Sequence, residues 1–214
     1  RKSKTEPLAT FYSNDYQYEI GIDEVGRGPM LGRVYTAAVI LPKNDIFDHS
    51  KMKDSKRFSS KKKITEVAEY IKSNALAYSV SYESEDTIDK INILQATHNS
   101  MHKAVKNILD DNNNYNTENL LLLVDGNNFK PYMNFNKNKG IYSQINHKCI
   151  EGGDNKYTAI AAASILAKVE RDKYIEELCK EYPYLDERYH LLSNKGYGTK
   201  AHMDGIKTHG ISAW

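Results

Sequence analysis

The chain has 214 residues, 27% charged and 40% hydrophobic, with 30 basic and 28 acidic residues giving a net charge of +2. That balance buries a core and excludes compositional disorder, and the length suits one α/β domain rather than two large ones. No apolar run approaches the ~20 residues needed to span a bilayer, and Cys149 and Cys179 stand thirty residues apart without a C-x-x-C pair, which argues against a zinc site or a disulfide framework. No membrane association is expected, and the expected location is intracellular and cytoplasmic, or nuclear in a eukaryotic host.

Residues 1–18 lack periodicity, carry Pro7 as a breaker and read as an exposed lead-in to a single domain over 19–214. YEIGID at 18–23, VYTAAVIL at 34–41 and ALAYSVSY at 75–82 are short β-rich runs bounded by turn formers. Between the second and third, Ile64, Val67, Ala68 and Ile71 recur at helical spacing behind a Ser59-Ser60 cap, and the same spacing returns over 91–109. The asparagine-rich 110–119 breaks it and predicts a loop. LLLLVD at 120–125 suits a strand buried on both faces with an acid at its tip. A further strand is expected over YSQINHKCI at 142–150, a long helix from about Asn155 to Lys180, and a short last helix from about Thr199 to His209. Helices and strands interleave, yet two extended runs lie close together at the start, so the sheet is expected to be mixed.

Charge is unevenly spread. Between Lys51 and Lys63, seven of thirteen residues are Lys or Arg and only Asp54 opposes them, a local positive surface on a near-neutral protein. The other reading of this run is a solvated helix entrance.

Asp23, Glu24, Asp125 and Asp154 all fall at expected strand tips, where an acid away from water needs a partner, a hydrogen bond or a metal. Asp154 follows two glycines in EGGDNKY; alone, it reads equally well as a helix N-cap. Asp23 and Glu24 are adjacent, and neighbours on a regular strand point to opposite faces. Both reach one site only if the strand ends or bulges there, so the strand is expected to end at Glu24, with Gly26 and Gly28 in the turn. A carboxylate cluster without Cys suits a hard cation, Mg²⁺ or Mn²⁺. Two such ions, roughly 3.5–4 Å apart, clamp the attacking and leaving oxygens of a phosphodiester, which predicts phosphoryl-transfer chemistry on nucleic acid. His98 and His102 are i and i+4 on a predicted helix, without the H-E-x-x-H context of a zinc site. Tyr197, between Gly196 and Gly198, is free to lay its ring on a sugar or base, although a turn tyrosine is the simpler reading.

GIDEVGRGP at 21, DSKRFS at 54, VDG at 124, GGDNKYTAIAAASILAKVERD at 152 and NKGYGTKAH at 194 together resemble the ribonuclease HII family, in order and spacing, over about Glu19 to Ser212. The resemblance implies a ribonuclease H-like α/β fold, a mixed five-stranded β-sheet flanked by helices with a helical C-terminal portion. It implies metal-binding catalytic acids at Asp23, Glu24, Asp125 and Asp154. Gly26, Arg27 and Gly28 would surround a 2′-hydroxyl, Tyr197 would bond it and stack on the next sugar, and Lys56, Ser164 and Lys168 would contact phosphates. The implied activity is endonucleolytic hydrolysis on the 5′ side of ribonucleotides in RNA–DNA hybrids and in duplex DNA with single embedded ribonucleotides, using two Mg²⁺ or Mn²⁺ ions and leaving 3′-hydroxyl and 5′-phosphate ends. Roles in ribonucleotide removal and RNA primer removal follow, for a protein expected to be a monomer without a visible sliding-clamp motif. Arg171 and Asp172 are expected to support the long helix. Arg33 stands where proline is common in the family, and YHLLSNKGYG lacks a histidine just ahead of the Lys-Gly-Tyr, which leaves local loop shape open. The ribonuclease HIII subtype is disfavoured by Gly-Arg-Gly and by aspartate at 154. A noncatalytic hybrid-binding module is disfavoured because binding gains nothing from acids beside a phosphate backbone.

Overall fold

The structure, a computed structural model, describes residues 6–111, 115–136 and 140–214. The middle of the asparagine-rich loop, 112–114, and the first five residues of the lead-in lie outside the described residues. The main sheet takes β1 (Tyr18–Val25), β2 (Val34–Ile40), β3 (Ala77–Glu83), β4 (Leu120–Asp125) and β7 (Asn146–Ile150), and β5 (Met133–Asn136) pairs with β6 (Ile141–Gln144) in a separate hairpin. Strand order is β3-β2-β1-β4-β7, antiparallel between β1, β2 and β3 and parallel from β1 to β4 and β4 to β7, so the sheet is five-stranded and mixed as expected.

The helices are α1 (Lys61–Asn74), α2 (Glu85–Asp111), α3 (Thr158–Glu181), α4 (Tyr184–Tyr189), α5 (Leu191–Asn194) and α6 (Lys200–His209). Side-chain alternation sorts them onto faces. Ile20 and Ile22 of β1 and Ala38 and Ile40 of β2 meet Met101, Ala104, Val105 and Ile108 of α2. Their strand neighbours Ala37 and Val39 meet α1 and α3 on the opposite face. Residues 158–167 of α3 are all buried, an apolar helix enclosed on every side by β1, β2, α1 and the loops. A third cluster, with Leu31, Tyr174, Ile175, Leu185 and Leu191, fastens the C-terminal helices to the second half of α3.

Two expectations are corrected, and the lead-in proves to be attached. The 142–150 run is two strands, because β4 has six residues and its pairing with β7 begins at Leu121–Asn146; the upstream half, left without a place in the main sheet, pairs with β5 instead. The helix expected over 91–109 is preceded by another turn: Asn92 sits at φ 67°, splitting α2, and its side-chain oxygen accepts from Gln95 N at 3.1 Å as the cap of the second segment. The described part of the lead-in, although without helix or ladder, is anchored. Leu8 packs on the core, Ala9 exchanges backbone bonds with Lys156 and Thr158, and buried Glu19 accepts Tyr12 N and Ser13 N at 2.8 Å while pairing with Lys43.

The ends of α1 and α6 follow the sequence closely. Ser60 accepts from Lys63 N at 3.3 Å, and Thr199 from His202 N at 3.4 Å, each the N-cap that its position predicts.

Candidate active site at the tips of the central strands

β1 does not end at Glu24. Its ladder with β2 continues through Val25–Tyr35, whereas its ladder with β4 stops at Ile22–Val124. Beyond Ile22 one edge of β1 is therefore open while the strand stays regular. Asp23 follows Gly21 onto the α3 face, and Glu24 follows Ile22 onto the α2 face, where it lines a small cavity of about 200 Å³ with Arg27, Thr97, His98 and Asp125. The open edge lets the longer Glu24 side chain come round to its neighbour's partners. One carboxylate oxygen from each of Asp23, Glu24 and Asp125 lies within 4.8 Å of the others. The strand ending expected at Glu24 is unnecessary, and so is a bulge.

Each acid is held differently. Asp23 is 4% exposed and accepts from the Glu24 amide at 2.7 Å. Burial, then the charges of Glu24 and Asp125, push its carboxyl well above the usual range against the pull of that amide and the Ser164 hydroxyl. Burial also raises Glu24, opposed by the Arg27 guanidinium 4.0 Å away, with Asp125 adding to the rise. Asp125 accepts from Gly153 N at 2.6 Å, and a Cβ on Gly153 would stand 2.5 Å from Ile160 Cδ1 and 3.3 Å from Asp125 Oδ1. Gly153 thus brings the backbone close to Asp125.

Asp154 lies outside the group of three. It sits in a 3₁₀ turn at Gly153–Asn155, and Tyr157, not Asp154, is the N-cap residue of α3, so the helix-cap reading fails. Its half-buried carboxyl is raised by burial and then by Asp54 and Asp125, with Lys56 opposing. Asp154 therefore borders the cluster from the side of the 54–57 turn. Burial and neighbouring charge push the Asp23 and Glu24 carboxyls up; with Asp125 beside them and oxygen donors alone, the cluster fits a hard divalent cation, which would relieve that repulsion.

The turn after β1 meets the C-terminal loop. Gly26, at φ +117°, has no room for a side chain: a Cβ would fall 2.7 Å from Arg33 O and 2.9 Å from Arg171 Nε. Tyr197, 44% exposed, lays its ring over Gly28, where an added Cβ would stand 3.3 Å from Cε1. Met30 N donates to Gly196 O at 2.9 Å, and buried His202 Nδ1 lies 3.0 Å from Tyr197 O. Gly26, Arg27, Gly28 and Tyr197 are thus brought together beside the acids, with Arg27 joining the two groups.

What ties those loops was missed in sequence. Arg171, fully buried, donates to Leu31 O at 3.0 Å, Arg33 O at 3.2 Å and Lys195 O at 2.9 Å, bridging the turn after β1 to the loop carrying Tyr197. Its place in a helical motif gave packing as the reading; the signal was an arginine on the helix face of Ala167, Tyr174 and Ile175, with no acid at i±3 or i±4. Arg171→Met leaves three carbonyls without their donor, and at ~1–3 kcal/mol for a buried unsatisfied group the expected loss is at least ~3 kcal/mol. Denaturant melts check this; a loss below ~1 kcal/mol would show that the clamp is incidental.

The remaining expected residues are scattered in role. Ser164 is buried with its hydroxyl 3.0 Å from that of Ser55, and it links the 54–57 turn to Asp23 rather than facing solvent. Lys168 Nζ is paired with Asp172 at 2.7 Å, the salt bridge that a helix offers at i, i+4. Lys56 is exposed on the turn that Asn155 joins through Asp54, at 3.3 Å. Arg33, which stands at the departure from the family pattern, is stacked 4.5 Å from both Tyr82 and Tyr174.

A mixed β3-β2-β1-β4-β7 sheet that gathers acids at the tips of its two central strands defines a ribonuclease H-like, metal-dependent hydrolase. The ribonuclease HII family model matches residues 20–214, and ribonuclease HII of Parabacteroides distasonis is 42% identical over 95% of this chain and 90% of its own length. The chain belongs to the ribonuclease HII family, whose members are metal-dependent endoribonucleases. The fold resembles that of ribonuclease H2 from Pyrococcus horikoshii, with a TM-score of 0.68 at 21% identity over 92% of this chain and 90% of that one. It also resembles Bst-RNase HIII in complex with Mn²⁺, with a TM-score of 0.63 at 14% identity over 96% and 71%.

Proposed function

We propose that this protein hydrolyses the phosphodiester on the 5′ side of a ribonucleotide, in RNA–DNA hybrids and at single ribonucleotides embedded in duplex DNA, leaving 3′-hydroxyl and 5′-phosphate ends. The observation that carries the reading is the juxtaposition of the Asp23–Glu24–Asp125 cluster with the Gly28–Tyr197 contact, through Arg27. Two Mg²⁺ or Mn²⁺ ions bound there would lower the pKa of the attacking water and stabilise the leaving oxygen. Asp23, Glu24 and Asp125 would hold them, and Asp154 is placed to join from the 54–57 side. The chain's own part is positioning: the Glu24 and Gly153 amides fix the Asp23 and Asp125 carboxylates, and Arg171 fixes the loops that present the Gly26–Gly28 backbone and the Tyr197 ring. Glycine backbone beside an exposed tyrosine, which carries a hydroxyl, suits recognition of a 2′-hydroxyl, the group that separates RNA from DNA. Mn²⁺ in the structurally similar Bst-RNase HIII supports a divalent ion of this size.

Removal of ribonucleotides from DNA and of RNA primers, by a monomer in the cytoplasm, is the cellular role consistent with this chemistry. Metal-dependent cleavage of a hybrid, with an all-DNA duplex left intact, tests the activity; equal cleavage of both would reject it. Tyr197→Phe removes only a hydroxyl. At ~0.5–1.5 kcal/mol for one hydrogen bond, the expected loss at a single embedded ribonucleotide is up to about tenfold in kcat/KM, with less effect on long hybrids, where neighbouring registers offer further sites. Unchanged single-ribonucleotide cleavage would remove Tyr197 from recognition.

A further inference from the structure

From the lysine-rich run Lys51 to Lys63, the 54–57 turn reaches the acids through Asp54, Ser55 and Lys56. The run's other residues build a groove of about 470 Å³ between the 3₁₀ turns and the start of α1, with Lys51, Lys53, Phe58, Lys63, Glu66 and Tyr70 in its walls. Lys53 Nζ stands 4.4 Å from the Phe58 ring centroid and Lys51 Nζ 5.3 Å from that of Tyr70, so the aromatic faces hold the lysine stems in place. Lys51 is paired with Asp48 at 3.0 Å, whereas Lys53 and Lys63 form no ion pair among the described residues. Lys63 also sits in a first helical turn that holds Lys61 and Lys62 and no acid, against the helix dipole. A helix entrance built for stability alone would carry the opposite charge. Location completes the case: Lys53 and Phe58 flank the 54–57 turn, whose Asp54 meets Asn155 and whose Lys56 acts on Asp154.

We propose that this groove is a second nucleic-acid contact, which takes the phosphate backbone of the substrate duplex on one side of the scissile bond. The inference rests on the nuclease reading and deepens it. Lys53 and Lys63 are the phosphate ligands, Lys51 adds to the field, and Glu66, which also lines the groove 4.0 Å from Lys62, limits the affinity. Such contacts carry no base sequence; they add affinity, register and salt dependence.

The test is equilibrium binding of a labelled duplex with one central ribonucleotide, with every protein carrying Asp23→Asn to prevent cleavage. Lys53→Glu/Lys63→Glu should weaken binding about tenfold or more, and should flatten the plot of log K against log salt by about 1.8, for two phosphate contacts at ~0.9 each. The reversal at Lys63 places an acid in the first turn of α1, where the dipole favours it, so a weakened helix does not explain a loss. Glu66→Lys should act in the opposite direction and tighten binding. Two shorter duplexes, each trimmed on a different side of the ribonucleotide, locate the contact: the double variant should bind one of them as the parent does and the other more weakly. Unchanged affinity and slope on the long duplex, or an equal penalty on both short ones, would overturn the groove. Cleavage of the same duplex by the unsubstituted protein separates the two claims, because cleavage with unchanged variant binding sinks the groove alone, and absence of cleavage sinks the nuclease reading beneath it.

Discussion

Asp23→Asn is expected to lower turnover by at least about three orders of magnitude while raising the melting temperature of the metal-free protein. The first effect follows from what the carboxylate would supply: loss of several kcal/mol of charge stabilisation at the reacting phosphate is about a decade of rate per 1.4 kcal/mol. The second follows from its surroundings. Burial and the charges of Glu24 and Asp125 hold the Asp23 carboxyl well above its ordinary pKa of 3.8. Between that value and the raised one the folded state binds more protons than the unfolded state, so stability falls as pH rises through the interval and stays reduced above it. Asparagine removes the charge and the penalty. The gain in melting temperature should accordingly be small below pH ~4 and grow as pH rises, at about 2–4 °C per kcal/mol for a chain of this size. Mg²⁺ or Mn²⁺ should raise the melting temperature of the parent protein and scarcely move that of the variant. Thermal melts across pH, with and without metal, check both signs, and an equal metal-induced shift in the two proteins would show that Asp23 does not hold the ion.

Gly21→Ala is expected to rank with Arg171→Met among the largest losses of stability. The added Cβ would lie 2.1 Å from Ala159 C, 2.3 Å from Ala159 O and 2.5 Å from Ile160 N, in the backbone of the first turn of α3. No side chain is there to swing aside, so strand and helix must separate. Overpacking costs ~1–3 kcal/mol where side chains yield and more where backbone must, so a loss near or above 3 kcal/mol is expected, or roughly 6–12 °C. Activity should fall as well, because the same helix carries Ser164 against Asp23 two residues along β1. Denaturant melts and turnover at a temperature where the variant is still folded separate the two effects; a loss under ~1 kcal/mol would mean that the β1–α3 contact is not as close as described.

Much of the fold was legible wherever one local signal sufficed. The apolar run Leu120 to Val124 is β4 because both faces of a central strand are covered, and Ser60 and Thr199 mark their helices because each side chain caps an amide within its own turn. What was not legible depended on partners distant in sequence. The division of 142–150 at Ile145 is set by the length of β4, and the anchoring of the lead-in is set by Glu19 and Lys43. The short helices α4 and α5 offer too few residues for a period to show. The site divides in the same way. Asp23, Glu24 and Asp125 were readable as acids at strand tips, and all three converge. Asp154 was given equal standing, yet a 3₁₀ turn sets it to one side, a displacement that spacing does not encode. The adjacency of Asp23 and Glu24 demanded an ended strand on side-chain alternation alone; one open edge of β1 removes the demand. Gly21 reads in sequence as a weak strand residue, and its use as a seat for α3 becomes visible only with the helix in place.

The most direct measurement is product mapping on a duplex DNA that carries one ribonucleotide, incubated with Mg²⁺ or with Mn²⁺. A single cut is expected on the 5′ side of the ribonucleotide, leaving a 3′-hydroxyl on the upstream DNA and a 5′-phosphate on the ribonucleotide. No cut with either metal, or equal cutting of the same duplex with a deoxyribonucleotide in that position, would contradict it.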